Sequence, residues 1–309
     1  MGELTENRPT DLKDFSRGFY EAAKLYRENP DTRSGSGFGV VAGLIALFPE
    51  KINFESLNRS PLFHRINATA HVATLVNDYL DMQTYLDTPE GKGLKKKIED
   101  EWKKTLEGIQ FEGELPKDTR GIIKSYMAGI TLLDDSERSN PDNSLTGIIR
   151  SKELENAISL VHCAAIIMGD QEIGADCLNL YEEVSAEQVR EKYSWILKGE
   201  PENETQKRLC AIFNVIMLTQ TIDDQFDVKI DNKLSVRNIY SAILIENKND
   251  QQLSQKRLEE IQKQYYATAN KFGISNLAYY GNKVFMKFVK MAQYKYPQKL
   301  GGYRERLIR

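Results

Sequence analysis

The chain has 309 residues, 40% hydrophobic and 28% charged, with a formal net charge of −3. That balance is ordinary for a globular protein, and its slight acidity removes any overall electrostatic reason to expect nucleic acid. Three cysteines exclude a disulfide framework, and three scattered histidines exclude a zinc site of usual spacing. Cys163 and Cys210 sit in apolar runs and read as small core residues, which implies a reducing, cytoplasmic setting.

The N-terminus is polar through Pro30, so no signal peptide is expected. Period-2 alternation and tight hairpin turns are missing, and helical periodicity dominates. Residues 11–28 read as a helix with Phe15, Phe19, Ala22, Ala23 and Tyr26 on one side. The uncharged run at 34–49 is 16 residues long, short for a membrane span, and reads as a buried helix. Contact with a membrane surface through it stays open.

A long helix is expected over 63–86, stopping at Thr88-Pro89. It carries the first acidic segment, NDYLD, from Asn77 to Asp81. Asp78 and Asp81 are i,i+3 neighbours, and Thr74, His71 and Asn67 precede them at helical steps on the same side. Residues 92–107 are highly charged, with Leu94, Ile98, Trp102 and Leu106 at i+4 steps, an amphipathic surface helix. A helix over 118–133 is expected to give way to a polar loop at 134–144, and the acidic pair within Leu132–Glu137 reads as a solvated helix end. Asp142, Asn143 or Ser144 can cap the helix at 145–169, whose second half is uncharged. Shorter helices follow at 173–183 and at 186–197, the latter capped by Ser185. After the 209–231 segment, helices at 235–246, 251–272 and 274–294 complete the series.

The 209–231 stretch organises the rest. Its apolar run ends in four aspartates, Asp223, Asp224, Asp227 and Asp231. At 100° per residue, Asp224 and Asp227 share a face with Gln220, and Phe213, Ile216 and Met217 lie one or two turns back on that side. Like charges at i,i+4 cost a helix about 0.2–0.5 kcal/mol per pair. A cation that neutralises them makes sense of the cost, and hard carboxylate oxygens suit Mg²⁺ that also holds a substrate phosphate. If the two acidic segments face each other across a helical bundle, carboxylates from both sides enclose an apolar cavity. A diphosphate then sits on bridging Mg²⁺ with its hydrocarbon in the pocket. The fold expected is all-α, one domain over 1–309, a large bundle of about a dozen helices with a central cavity.

Two aspartate-rich helices of this kind resemble the class I all-α isoprenoid-diphosphate enzymes, the terpene synthase and prenyltransferase superfamily. Asp223–Asp227 (DDQFD) matches the DDxxD form and, read on to Asp231, is similar to the longer motif of intramembrane aromatic prenyltransferases. Asn77–Asp81 is similar to the NDxxD pattern and to the DYLD start of the motif in large bacterial terpene synthases. The likeness is one of motifs and helical layout over roughly residues 35–295. The chain departs from the pattern at Asn77, where many members have Asp, at Asp87, two residues late, and in having no NSE-type motif.

The resemblance implies a Mg²⁺-dependent enzyme that ionises an isoprenyl diphosphate to an allylic carbocation and releases diphosphate. A soluble prenyltransferase or a non-catalytic helical scaffold is the alternative. It further implies two or three Mg²⁺ ions held by Asp78, Asp81, Asp223, Asp224, Asp227 and Asp231, with Asp78, Asp81, Asp224 and Asp227 catalytic. Asn77, His71, Thr74, Phe213, Met217 and Gln220 would line the substrate. Arg33, Arg237, Arg304 and Arg306 are candidate diphosphate partners, whereas Lys229 and Lys233 fall on the opposite side of their helix. A homodimer remains compatible with all of this. His162 reads as a satisfied core histidine, and Tyr265, Tyr266, Tyr279 and Tyr280 as packing residues.

Overall fold

A computed structural model gives the fold. The structure describes residues 61–108, 119–139, 141–168, 173–174, 177 and 185–274, and single positions 287, 291, 295 and 303. The helix expected at 11–28, the apolar run at 34–49 and nearly all of 274–294 lie outside the described residues. Among the described residues there are helices, turns and loops and no strand.

The helices in chain order are α1 (Pro61–Asp81), α2 (Gln83–Leu86), α3 (Lys92–Gly108), α4 (Thr119–Ser139) and α5 (Leu145–Met168). Then come α6 (Ala186–Lys192), α7 (Ser194–Lys198), α8 (Glu204–Leu234), α9 (Ile239–Glu246) and α10 (Gln251–Lys271). Their starts follow from local chemistry. The Ser144 hydroxyl accepts from the Gly147 N–H at 3.0 Å ahead of α5. Ser185 and Gln188 form a reciprocal capping box on α6. Asn203 caps α8 by accepting from the Gln206 N–H at 2.7 Å. α8 ends at Ser235, whose φ of 59° turns the chain left-handed.

α5 is the common wall. It packs against α1, α4, α7, α8 and α9, while α8 packs on α10 and α9 and α1 packs on α3. The sequence explains this placement, because Ala157, Ile158, Leu160, Val161 and Ala164 are all fully buried and cover more than one side of α5. The expected stripe on α3 is also present: Ile98 is fully buried, and Trp102 meets Tyr79 of α1 edge-on at 6.3 Å.

Two expected helix ends are corrected. α4 runs to Ser139 rather than ending near 133, because Asp134 and Arg138 form an i,i+4 pair at 2.7 Å that carries the helix through the polar stretch. Residues 235–238 belong to a short connection, and α9 begins only at Ile239.

Candidate functional site

The two acidic segments end in different surroundings. On α1, Asp78 and Asp81 point to separate neighbours. Asp78 is 5% exposed, and its Oδ2 accepts the Tyr303 N–H at 2.8 Å. The Tyr303 hydroxyl donates to Glu101 of α3, which also pairs with His71 Nε2 at 3.1 Å. His71, Asp78, Glu101 and Tyr303 therefore form one polar network at the α1–α3 side. Asp81 lies one turn on and faces a cleft instead, with the Asn77 amide donating to it at 3.3 Å.

That cleft has a volume of about 180 Å³. Its charged lining comes from Asp81, Asp134, Glu137, Arg138, Lys152, Glu155 and Arg237, and apolar wall from Leu80, Ile130, Leu133 and Val236. Arg138 pairs with Asp134 and also donates to the Leu80 carbonyl at 2.8 Å, tying α4 to the end of α1. Arg237 pairs with Glu137 and donates to the Ser151 hydroxyl at 3.0 Å. Burial lowers the Arg237 pKa, and the nearby Asp134 carboxylate opposes that shift.

On α8, Asp224, Asp227 and Asp231 are 2%, 2% and 3% exposed, and Asp223 is half-buried. Asp224 Oδ2 accepts the Ile239 N–H at 2.6 Å, and Oδ1 accepts from the Gln220 amide at 2.6 Å. Asp231 accepts from the Asn238 amide at 2.6 Å, and that same amide donates to the Asp224 carbonyl at 2.8 Å. Two of the four aspartates thus anchor the start of α9, where a negative charge is favoured by the helix dipole. Burial pushes the Asp224 carboxyl up to about 6, against the pull of Lys152 and the Ile239 N–H.

Lys152 is held in the field of carboxylates from both segments. It projects from α5 and pairs with Glu155 at 3.3 Å, with 16% of its side chain exposed. Burial alone would lower its pKa, but the carboxylates of Glu155, Asp224, Asp81 and Asp231 outweigh burial and raise it. One carboxylate from α1 and two from α8 therefore share the field of one ammonium on the helix between them.

The other expected residues are accounted for as follows. Phe213 and Met217 are fully buried within the main core cluster, and Gln220 is engaged with Asp224. The Thr74 side chain is outside what is described. His162 is fully buried; its Nδ1–H donates to the Ile158 carbonyl at 2.9 Å, and its ring lies between Tyr126 and Tyr193. Sequence reasoning missed Lys152, Arg138, Asp134 and Glu137. The last three were detectable, since Asp134, Glu137 and Arg138 continue the helical spacing of Ile130 and Leu133. Lys152 carried no such signal, because a lysine flanked by Ser151 and Glu153 reads as surface.

Carboxylate oxygens are the donor type that a hard divalent cation takes. Among the described residues, however, no three His, Cys, Asp or Glu side chains gather as metal ligands do. No described helix is long and apolar enough to cross a membrane. What the described residues define is an all-helical protein with a charged cleft lined by the acidic end of α1, by α4 and α5 and by the turn after α8. No protein-family model matches the chain, and no curated protein or solved structure is significantly similar to it.

Proposed function

We propose that the chain is an enzyme acting on an isoprenyl diphosphate, by class a terpene synthase or cyclase, with the charged cleft as the diphosphate end of its site. One observation supports this above the rest. Carboxylates from both aspartate-rich segments share a single ammonium beside a cleft that also carries two guanidinium groups. Arg138, Lys152 and Arg237 give a polyanionic diphosphate its donors, and the planar guanidinium forks fix its orientation. Leu80, Ile130 and Leu133 give the cleft an apolar wall against which an allylic chain would lie. Asp78, Asp81, Asp223, Asp224, Asp227 and Asp231 are the residues that would hold magnesium, which when bound supplies neutralisation of the charge on departing diphosphate. A prenyltransferase would use the same residues and differ in the shape of its acceptor pocket.

A second reading, a helical binding protein without catalysis, draws on a specific observation. Asp78, Asp224 and Asp231 accept hydrogen bonds from the chain's own Tyr303, Ile239 and Asn238. The assay that separates the two is diphosphate release from prenyl diphosphates of ten to twenty-five carbons in the presence of Mg²⁺. The enzyme reading expects release by the native protein and a loss of about a hundredfold in Asp81→Asn, a half-exposed position. No release from any of these substrates, with or without an isoprenoid acceptor, leaves the binding protein as the better account.

A further inference from the structure

We propose that the α1–α3 side of the molecule is a recognition socket for the chain's own C-terminal segment, held by Tyr303 and able to take the same segment in trans. Tyr303 meets the socket in three chemically different ways. Its backbone N–H donates to Asp78 Oδ2 at 2.8 Å, its hydroxyl donates to Glu101, and the Lys97 ammonium stands 5.4 Å from its ring centre. His71 pairs with the other Glu101 oxygen at 3.1 Å, which fixes the orientation of that carboxylate. The floor is apolar. Leu75, Met82, Leu86 and Ile98 form a small cluster of their own, and Tyr303 packs against it.

These are the contacts of a bound ligand rather than of a core residue. The four floor residues are at most 2% exposed and belong to one continuous stretch, 75–98. Tyr303 joins them from 225 residues beyond Asp78 and stays half-buried at their edge. Its sequence neighbours suit docking. Gly301 and Gly302 precede it, and without side chains they let the backbone approach a carboxylate closely. Residues 299–309 carry four basic side chains against one acid, complementary to the Asp78 and Glu101 carboxylates that receive Tyr303. Tyrosine is also an economical anchor, with a large rigid contact area and a polar tip. A segment that is merely packed predicts only a loss of stability when Tyr303 is removed. A recognised segment predicts in addition that the vacated socket captures it from solution.

The test uses the full chain and a fluorescently labelled peptide of residues 299–309, followed by anisotropy with no substrate or metal present. The peptide is expected to bind the Tyr303→Ala chain saturably. It is expected to bind the native chain at least roughly tenfold more weakly, because the resident tyrosine competes at high effective concentration. The same peptide carrying Tyr303→Phe is expected to bind the Tyr303→Ala chain about tenfold more weakly, for want of the hydrogen bond to Glu101. Three results overturn the proposal: no binding to the Tyr303→Ala chain, equal binding to it and to the native chain, or no preference for the tyrosine peptide. Should the Tyr303→Ala chain not fold, the Tyr303→Phe chain, which keeps the ring, takes its place. It is expected to capture the unaltered peptide more tightly than the native chain does, and equal binding overturns the proposal. Neither result bears on diphosphate release, so the two readings fall separately.

Discussion

Asn238 makes three bonds with one side chain. Its Oδ1 caps α9 by accepting the Ser241 N–H at 2.8 Å, and its amide donates to the Asp224 carbonyl and the Asp231 carboxylate. Asn238→Ala removes a cap and two buried donors at once, so urea unfolding is expected to show a loss of about 2–4 kcal/mol. Asp224 makes a pH prediction of definite sign. Its folded-state pKa of about 6 lies above its ordinary 3.8, so the folded protein holds this proton more tightly than the unfolded chain does. Stability from this group is therefore greatest at acid pH and falls as pH rises from about 4 to about 6, by roughly 3 kcal/mol. Unfolding curves of Asp224→Asn across that window are expected to lack this decline, whereas an unaltered profile would assign the decline to another group. At this scale the sequence was partly legible. The aspartates were visible and their spacing on α8 was correct. That two of them serve α9 was not, because the partners Asn238 and Ile239 come into range only when the chain turns at Ser235.

Elements were read more reliably than their ends. α3 is recognisable from apolar periodicity, and α5, α8 and α10 also from Ser144, Asn203 and Asp250 at their starts, since both signals are local. Where the reading failed, a neighbour decided. α4 continues through an acidic stretch because Arg138 pairs within the helix and reaches the Leu80 carbonyl on α1. The helix expected over 186–197 divides at Tyr193, a fully buried side chain that packs into the core cluster between α6 and α7. The α8 terminus offers a direct test. Ser235 holds φ at 59°, a conformation that costs a side chain and suits glycine. Ser235→Gly is expected to raise unfolding free energy by about 0.5–1 kcal/mol, and a loss instead would mean that the freedom glycine adds to the unfolded chain outweighs the strain relieved.

At the scale of the molecule, α5 is the element whose loss is least tolerable. Leu160 is fully buried within the main cluster, and Leu160→Ala is expected to cost about 2–5 kcal/mol by chemical denaturation. The thiols report on the same core. Burial pushes Cys163 and Cys210 up to about 12, while Cys177 is half-buried. A disulfide reagent at neutral pH is expected to modify Cys177 first and the other two at the rate of global unfolding; fast labelling of all three would contradict the packing. The all-helical class and the burial of residues 157–166 and 209–222 were legible, because uncharged helices can only be interior. The cleft was not. It gathers side chains from α1, α4, α5 and the turn after α8, and no local pattern encodes that meeting.

The bond from Tyr303 to Asp78 spans 225 residues. A ribosome working at about 5–20 residues per second takes roughly ten seconds to most of a minute to cover that distance. Throughout that interval the nascent α1 lacks the amide that will hold Asp78, and Glu101 lacks its phenol. The first acidic segment thus matures late although it is made early, and chaperones or free cations meet it in an open form that the finished fold no longer presents.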